Sequence, residues 1–564
     1  MDFTPIRGEW SAAFIIYLAA TFMIASPCLA AIRLPRIFGD HAILQRESAA
    51  PIWGWSEAGE KVTVTFADQS KTVTADVQGK WLVRLDAMPA NAKPQDLVVR
   101  GTSGSATVHD VLVGEVWLAS GQSNMKFAVS AAHNAAEVLP TCADDGLRSF
   151  NVARVPGAEP QDDVGGDWNA SAPDTTKNFS AVGYFFAREL RKQLNCPVGI
   201  IHASWSGTPI QPWISLQGLQ AEPPITRLLK DWDKAVEEYK KTQADPKLES
   251  DYRAALKAWQ TDVEPAYKPL IDAYYADKAA GKPVGEKPKP PTPEPMNPNP
   301  MGQPSPGWQP MAPTVIFNGM IAPLSSYGLR GVIWYQGESN SKRDGLAYRT
   351  WFPRLIQDWR AHWNQPMPFL FVQCPGNGPD PTPVATAGMP WLREAQLMTL
   401  REPKTGMAIT IDIGDPNDDH PTDKFDVGHR LALQARRDVY GEDKLVASGP
   451  LYDSVSIDGD KARVRFKEIG TGLTPGQAPW RAHGVEPLPV DKLIGFFIAG
   501  DDRQWHAADA TIDRDSVIVS SPSVAKPAAV RYGWAKSPRC NLYNREGLPA
   551  SPFRTDDWEP DSPK

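Results

Sequence analysis

Residues 115–125 read Glu115-Val-Trp-Leu-Ala-Ser-Gly-Gln-Ser-Asn-Met125, an apolar, strand-like run from Val116 to Ala119 that gives way to Gly121 and then Ser123. Small polar residues between a strand and a following helical pattern mark a strand-to-helix turn. The same texture recurs downstream. Val198–Ala203, Gly331–Tyr335, Pro368–Gln373 and Met407–Ile413 are further apolar runs, separated by helical stretches such as Gly183–Leu194 and Tyr348–Asn364. Strands alternating with helices predict a mainly parallel sheet covered by helices, an α/β core over about residues 111–444.

On either side of this region the pattern changes. Short alternating runs at Val62–Phe66, Trp81–Leu85 and Leu97–Val99, set between Gly, Pro and Asn, predict a small β-sandwich over 31–110. Strand patterns return after about Leu445, at Ser454–Ile457, Ala462–Phe466, Ile494–Ile498, Ser516–Ser520 and Ala528–Tyr532, and predict a second β-domain over 445–564 that packs back on the core. Residues 223–313 interrupt the core with a charged helical part, Leu228–Ala280, and a Pro-rich stretch, Lys282–Pro313. Its charges read as a solvated surface.

Arg7 followed by an apolar run from Ala12 to Ala25, and by small residues up to Ala30, reads as a secretory signal peptide over 1–30 cut before Ala31. The expected location is the periplasm or the exterior, with no stable membrane insertion after cleavage. Four cysteines remain, at Cys142, Cys196, Cys374 and Cys540, without the short spacings of zinc or redox sites. A net charge of -7 and a pI near 5.8, with no basic stripe, exclude nucleic acid as a partner.

Ser123 stands where α/β folds bind ligands, at the carboxyl edge of the sheet. A serine hydroxyl becomes a useful nucleophile only when a base can take its proton. Among nine histidines the best candidate is His420, in Asp412-Ile-Gly-Asp-Pro-Asn-Asp-Asp-His-Pro421, directly after an apolar run and crowded by carboxylates that would orient the imidazole. A metal site fits this loop less well, because one His among several Asp residues lacks the paired spacing of zinc. Trp334-Tyr-Gln-Gly-Glu-Ser-Asn340 and Trp205-Ser-Gly-Thr208 follow two more strand-like runs. The convergence of these strand ends on one site carries more weight than any single motif.

In this order Gly-Gln-Ser123-Asn-Met, Trp-Ser-Gly207-Thr, Gln336-Gly-Glu-Ser-Asn and Gly-Asp415-Pro-Asn-Asp-Asp-His420-Pro resemble the sialate O-acetylesterase family of SGNH-type carbohydrate esterases. Leu34-Pro-Arg-Ile-Phe, Trp53-Gly-Trp, Asn318-Gly-Met-Ile-Ala-Pro-Leu, Leu392-Arg-Glu-Ala-Gln396, Cys540-Asn-Leu-Tyr-Asn and Gly547-Leu-Pro-Ala-Ser-Pro-Phe extend the resemblance over nearly all of the chain outside 223–313.

The resemblance implies a three-layer α/β/α hydrolase core flanked by β-sandwich-like domains, no metal or other cofactor, and a glycan or small sugar carrying O-acetyl groups as substrate. It implies Ser123 as nucleophile and His420 as general base, with the backbone N–H groups of Ser123 and Gly207 and the Gln336 amide as oxyanion donors. The family's acid stands three residues before the histidine, which here is Asn417. That leaves Asp418, Asp415 or a backbone-supported dyad, with Asp418 preferred. Ser206 replaces a frequent glycine and would narrow the acyl pocket. Glu338, Asp415 and Asn340 are candidates for support.

Trp205, Trp213, Trp334, Tyr335 and Trp391 are candidates for a sugar-stacking platform. Trp334 reads as core and Trp213 as the best contact. Arg393 and Glu394 either steer a charged substrate or pair with each other. The nearest rival substrate is an acetylated polysaccharide such as xylan, and the rival class is a carbohydrate-binding protein without catalysis.

Overall fold

The fold was described from a computed structural model, which covers residues 32–221, 230, 234, 246–279, 282, 285, 287–293, 295, 312–342, 345–377, 388–415, 418–478 and 486–558. The signal-peptide region 1–30, Asn417 and most of the Pro-rich stretch lie outside the described residues.

The core sheet runs Thr405–Ile409, Phe369–Gln373, Gly331–Tyr335, Ser105–Gly121, Val198–Ser204, Asp144–Asn151, Trp168–Ser171 from edge to edge. All neighbours are parallel except the last pair, which is antiparallel. Side chains of a strand point alternately to opposite faces, and the apolar runs divide accordingly. Val116, Leu118, Val332, Trp334, Phe369 and Phe371 join one core with Phe352, Leu355 and Trp359 of the helix Tyr348–Trp363. Trp117, Ala119, Ile333, Leu370 and Val372 join a second core with Val182, Phe186 and Leu190 of the helix Ala181–Leu194 and Leu431 of the helix Phe425–Asp438. Helices therefore cover both faces. This is why the strands read as continuous apolar runs.

The expected strand Met407–Ile413 ends earlier, at Ile409. Thr410 turns the chain there, its hydroxyl donating to Gln373 O at 2.5 Å and its carbonyl accepting from Ile413 N.

The boundary expected at residues 110/111 falls inside a single strand. Ser105–Gly121 pairs antiparallel with Asn91–Arg100 over its first half and parallel with Val198–Ser204 and Gly331–Tyr335 over its second. Asn91–Arg100 pairs in turn with Lys61–Phe66, and that strand with Gln69–Thr74; Ala50–Trp55 and Lys80–Leu85 form a separate ribbon.

Near the C-terminus two four-stranded sheets face each other. One holds Leu451–Asp458, Lys461–Lys467, Ser516–Ser520 and Asp509–Asp513; the other holds Trp505–Ala507, Phe496–Ala499, Ala529–Tyr532 and Phe553–Arg554. Phe553 packs against Tyr452, Phe466 and Phe496 between them. This region docks on the core through Tyr543, which donates to Asp412 at 3.0 Å, and Ser551, paired with Gln373. Cys142, Cys196, Cys374 and Cys540 are all buried as free thiols. Among the described residues no helix is long and apolar enough to cross a membrane.

Candidate active site

Strand order reverses about the long central strand, with the chain turning to one side of it and later to the other. In an open parallel sheet such a switch point leaves a crevice at the strand's carboxyl end. Ser123 sits there, half-buried, as the first residue of a one-turn helix, Ser123–Lys126. Gly121 makes the approach feasible: its φ is 137°, and a Cβ would lie 2.1 Å from Tyr335 O.

The four motifs are tied to one another through the residues beside the reactive ones. Gln122 Oε1 accepts from Gln336 Nε2 at 3.2 Å and from the N–H groups of Gly337 and Ser339 at 3.3 Å. Asn124 Nδ2 donates to Glu338 Oε1 at 2.6 Å and to Asp419 O at 2.9 Å. Lys424 Nζ donates to Asn124 Oδ1 at 2.7 Å and Pro421 O at 2.6 Å. Asn340 Oδ1 accepts from Ile210 N at 3.0 Å, which binds the Trp205–Thr208 turn to the Gln336 loop. The neighbours of Ser123 are thus stapled to the neighbours of His420. Ser123 and His420 themselves share no hydrogen bond, a common state before substrate arrives.

His420 is about one fifth exposed, and its Nδ1 meets Asp418 Oδ1 at 3.1 Å. The His420 backbone N–H donates to the same oxygen at 3.0 Å. Burial works against ionisation of Asp418, but the His420 hydrogen bond and the ammonium groups of Lys278 and Lys287 outweigh it and hold the carboxyl well below the usual range. Asp415 contacts Lys278 at 2.7 Å, and the carboxylate on His420 Nδ1 is that of Asp418.

Among the described residues neither the Ser123 nor the Gly207 backbone N–H is taken by an internal acceptor, and Gly207 has φ 73°, which favours glycine.

Three expected roles are corrected by the packing. The Gln336 amide is fully buried and donates to Gln122 Oε1, to Thr208 O at 3.1 Å and to Asn340 Oδ1 at 2.8 Å, so it braces the loops and offers no donor to an oxyanion. Asn340 is likewise buried as a brace. Trp213 is fully buried, its indole on Thr208 Oγ1 at 3.0 Å and its ring edge-on to Trp334, so it is core and not a sugar contact. Arg393 is buried too, donating to the carbonyls of Cys374, Pro375, Ala535 and Lys536, and Glu394 pairs with Arg349 and Arg554 instead. Of the other rings, Trp334 and Tyr335 are fully buried, Trp205 and Trp391 nearly so.

Glu338, expected as a supporting residue, is buried and accepts from Asn124. Burial holds its carboxyl above the usual range, with the Asn124 amide, His420 and Lys424 pulling it partly back. Burial also pushes the Lys424 ammonium down to about 7. Lys424 and Asn124 had no assigned role in the sequence, although Asn124 stands inside the quoted Ser123 motif. The expectation for 223–313 also changes. The helices Pro246–Asp262 and Glu264–Ala279 bring Tyr274 and Lys278, both buried, onto Asp418 at 3.5 and 3.0 Å.

Residues 305–437 match the family model for "Carbohydrate esterase, sialic acid-specific acetylesterase". The chain is a carboxylic ester hydrolase of the carbohydrate-esterase class. It is 30% identical to mouse sialate O-acetylesterase over 92% of this chain and 94% of that one, and 28% identical to the human protein over 92% of each. A crystal structure of a carbohydrate acetylesterase from Xanthomonas citri superposes with a TM-score of 0.72 at 36% identity, over 93% of this chain and all of that one. The chain belongs to the sialate O-acetylesterase family.

Proposed function

We propose that this protein is an exported esterase that removes O-acetyl groups from sialic acids, with Ser123 as nucleophile, His420 as base and Asp418 as the acid that orients His420. The observation that carries the reading is the bond from Asn124 to Asp419 O, which joins the Ser123 and His420 loops at one crevice, with Asp418 on the far nitrogen of the imidazole. As Ser123 Oγ attacks the acetyl carbonyl, His420 Nε2 takes its proton and the N–H groups of Ser123 and Gly207 bind the developing oxyanion. The C–O bond to the sugar then breaks, and His420 returns the proton to the departing sugar oxygen. Water hydrolyses the acetyl-serine by the same route and releases acetate. Glu338 and Asp415 support the loops, and the flanking sheets are read as sandwich domains.

Sialic acid as the sugar draws support from the names of the relatives and from charge near Ser123. Lys126 ends the one-turn helix that Ser123 begins, and Arg154 follows the strand Asp144–Asn151. Partial desolvation and repulsion from Arg154 lower the Lys126 ammonium, and burial together with both cations pushes His202 down to about 4. Neither cation has a carboxylate partner among the described residues, which suits a sugar that brings its own carboxylate.

The test is acetate release from 9-O-acetylated sialic acid and from acetylxylan, measured side by side for wild type, Ser123→Ala and His420→Ala. The expected result is release from the sialic acid with both variants near background while folded. Preference for xylan overturns the substrate, and wild-type activity in either variant overturns the site. Lys126→Ala is expected to raise KM for the sialic acid about tenfold and leave that for a neutral acetyl ester unchanged.

A further inference from the structure

The charged segment between the second and third motifs sends one residue to the heart of the site. Lys278, in the last turn of Glu264–Ala279, has a side chain only 6% exposed. Its Nζ lies 2.7 Å from Asp415 Oδ2, 3.0 Å from Asp418 Oδ2 and 3.3 Å from His420 O. The two carboxylates are themselves 4% and 2% exposed. Two buried carboxylates beside each other cannot both ionise cheaply unless a cation lies between them.

The two oxygens of Asp418 divide their partners. Oδ1 serves His420, through both the imidazole Nδ1 and the backbone N–H, and Oδ2 serves Lys278 and the Tyr274 hydroxyl. The ammonium therefore fixes the rotation of the carboxyl group as well as its charge. Tyr274 and Tyr275 flank it, and Tyr275 meets Phe127 ring to ring beside the Ser123 helix. Of the other groups about Asp418, Lys287, 4.0 Å from Oδ1, and Lys424 come from other elements, and Asp415 and His420 from its own loop.

We propose that Lys278 is a positioning residue for hydrolysis, keeping Asp418 ionised and turned toward His420, so that the inserted helices are part of the catalytic apparatus and not a surface appendage. This rests on the Ser123, His420 and Asp418 reading. With Lys278 replaced, the Asp418 carboxylate loses its nearest ammonium and the contact that turns it, faces Asp415 without a cation between them, and stabilises the imidazolium less well.

The experiment is the pH profile of kcat/KM for acetate release by the full chain carrying Lys278→Met. The expected result is a loss of at least tenfold at pH 7, with the acidic limb moved up by about 1–3 pH units and activity regained on the alkaline side. Asp415→Asn/Lys278→Met removes the competing carboxylate and is expected to bring the limb back toward wild type. A limb that does not move, or an equal loss at every pH, overturns the proposal. Should Lys278→Met fail to fold, the double variant is read against Asp415→Asn alone, and identical profiles with identical rates overturn it. Undiminished activity in Ser123→Ala and Asp418→Asn would instead bring down the reading on which it rests.

Discussion

Replacing Asp418 by Asn removes one charge and leaves the shape. In the proposed mechanism the carboxylate faces an imidazolium during attack, with 3.1 Å between Oδ1 and Nδ1. Two unit charges at that separation, in an effective dielectric of about 20, attract by about 5 kcal/mol, a ceiling of roughly ten-thousandfold in rate. The net value of a hydrogen bond to a charged group, about 1.5–3 kcal/mol, sets a floor of roughly ten- to a hundredfold. Lys278 decides between them. Its ammonium can only donate, so the new amide will turn its oxygen to Lys278 and its NH2 to His420. That forces Nδ1 to accept and moves the imidazole proton to Nε2, the nitrogen that must receive the proton of Ser123. The expected loss in kcat for Asp418→Asn is therefore near the upper end, about a thousand- to ten-thousandfold, in steady-state acetate release with the near-UV circular dichroism unchanged. Adding Lys278→Met frees the amide to turn and is expected to recover part of the loss. Asp415→Asn, which touches Lys278 and leaves the Asp418 contact to His420 in place, is expected to cost tenfold or less. An Asp418→Asn enzyme within threefold of wild type, or an Asp415→Asn enzyme worse than Asp418→Asn, refutes the reasoning.

Arg393→Met removes donors from three buried carbonyls and a part-buried fourth and is expected to cost at least about 3 kcal/mol in urea denaturation while leaving KM unchanged; a raised KM at full stability would return Arg393 to the substrate. Gly121→Ala sets a Cβ 2.1 Å from Tyr335 O at a φ of 137°, so the pairing that carries Ser123 must spread, and a sharp fall in soluble folded protein is expected. Asp423 is fully buried, and burial together with Asp426 raises its carboxyl to about 8. Between about pH 4 and 8 the unfolded chain has lost this proton and the folded chain keeps it, so stability falls as pH rises. Asp423→Asn is expected to flatten the slope by up to about 1.4 kcal/mol per pH unit, so denaturation midpoints at pH 5 and 8.5 should differ less than in wild type.

The core strands were legible because parallel strands between two helical layers are apolar at every position, and Gly331–Tyr335 matches its expected bounds residue for residue. What the structure adds at the proposed site is that the loops carrying Ser123 and His420, picked out separately in the sequence, are drawn together through Asn124 and Asp419. Legibility failed where a residue type suited to ligands is consumed by the backbone. Arg393 spends its donors on carbonyls and Gln336 on neighbouring loops, and no local pattern distinguishes that use from substrate binding. Lys278 was hidden for another reason: it lies 140 residues from Asp418 in a charged helical stretch, and only the fold brings its ammonium to the carboxylates. The boundary at 110/111 was a change of burial within one strand. Ser105–Asp110 alternates between exposed and covered, and Val111–Gly121 is buried throughout.

That strand makes the N-terminal sheet a poor candidate for recombination. Modular enzymes exchange accessory units at linkers, where a crossover severs nothing that pairs. Here any crossover near residue 110 cuts the strand that leads to Ser123, and takes from it the antiparallel partner Asn91–Arg100 and the parallel partner Ile43–Gln45. A chain started at Val111 would leave the first residues of its central strand, Val111–Gly114, without these partners, open to the edge of a second molecule. Descent with this geometry favours change by insertion between strands, as at 223–313, over the swapping of whole ends.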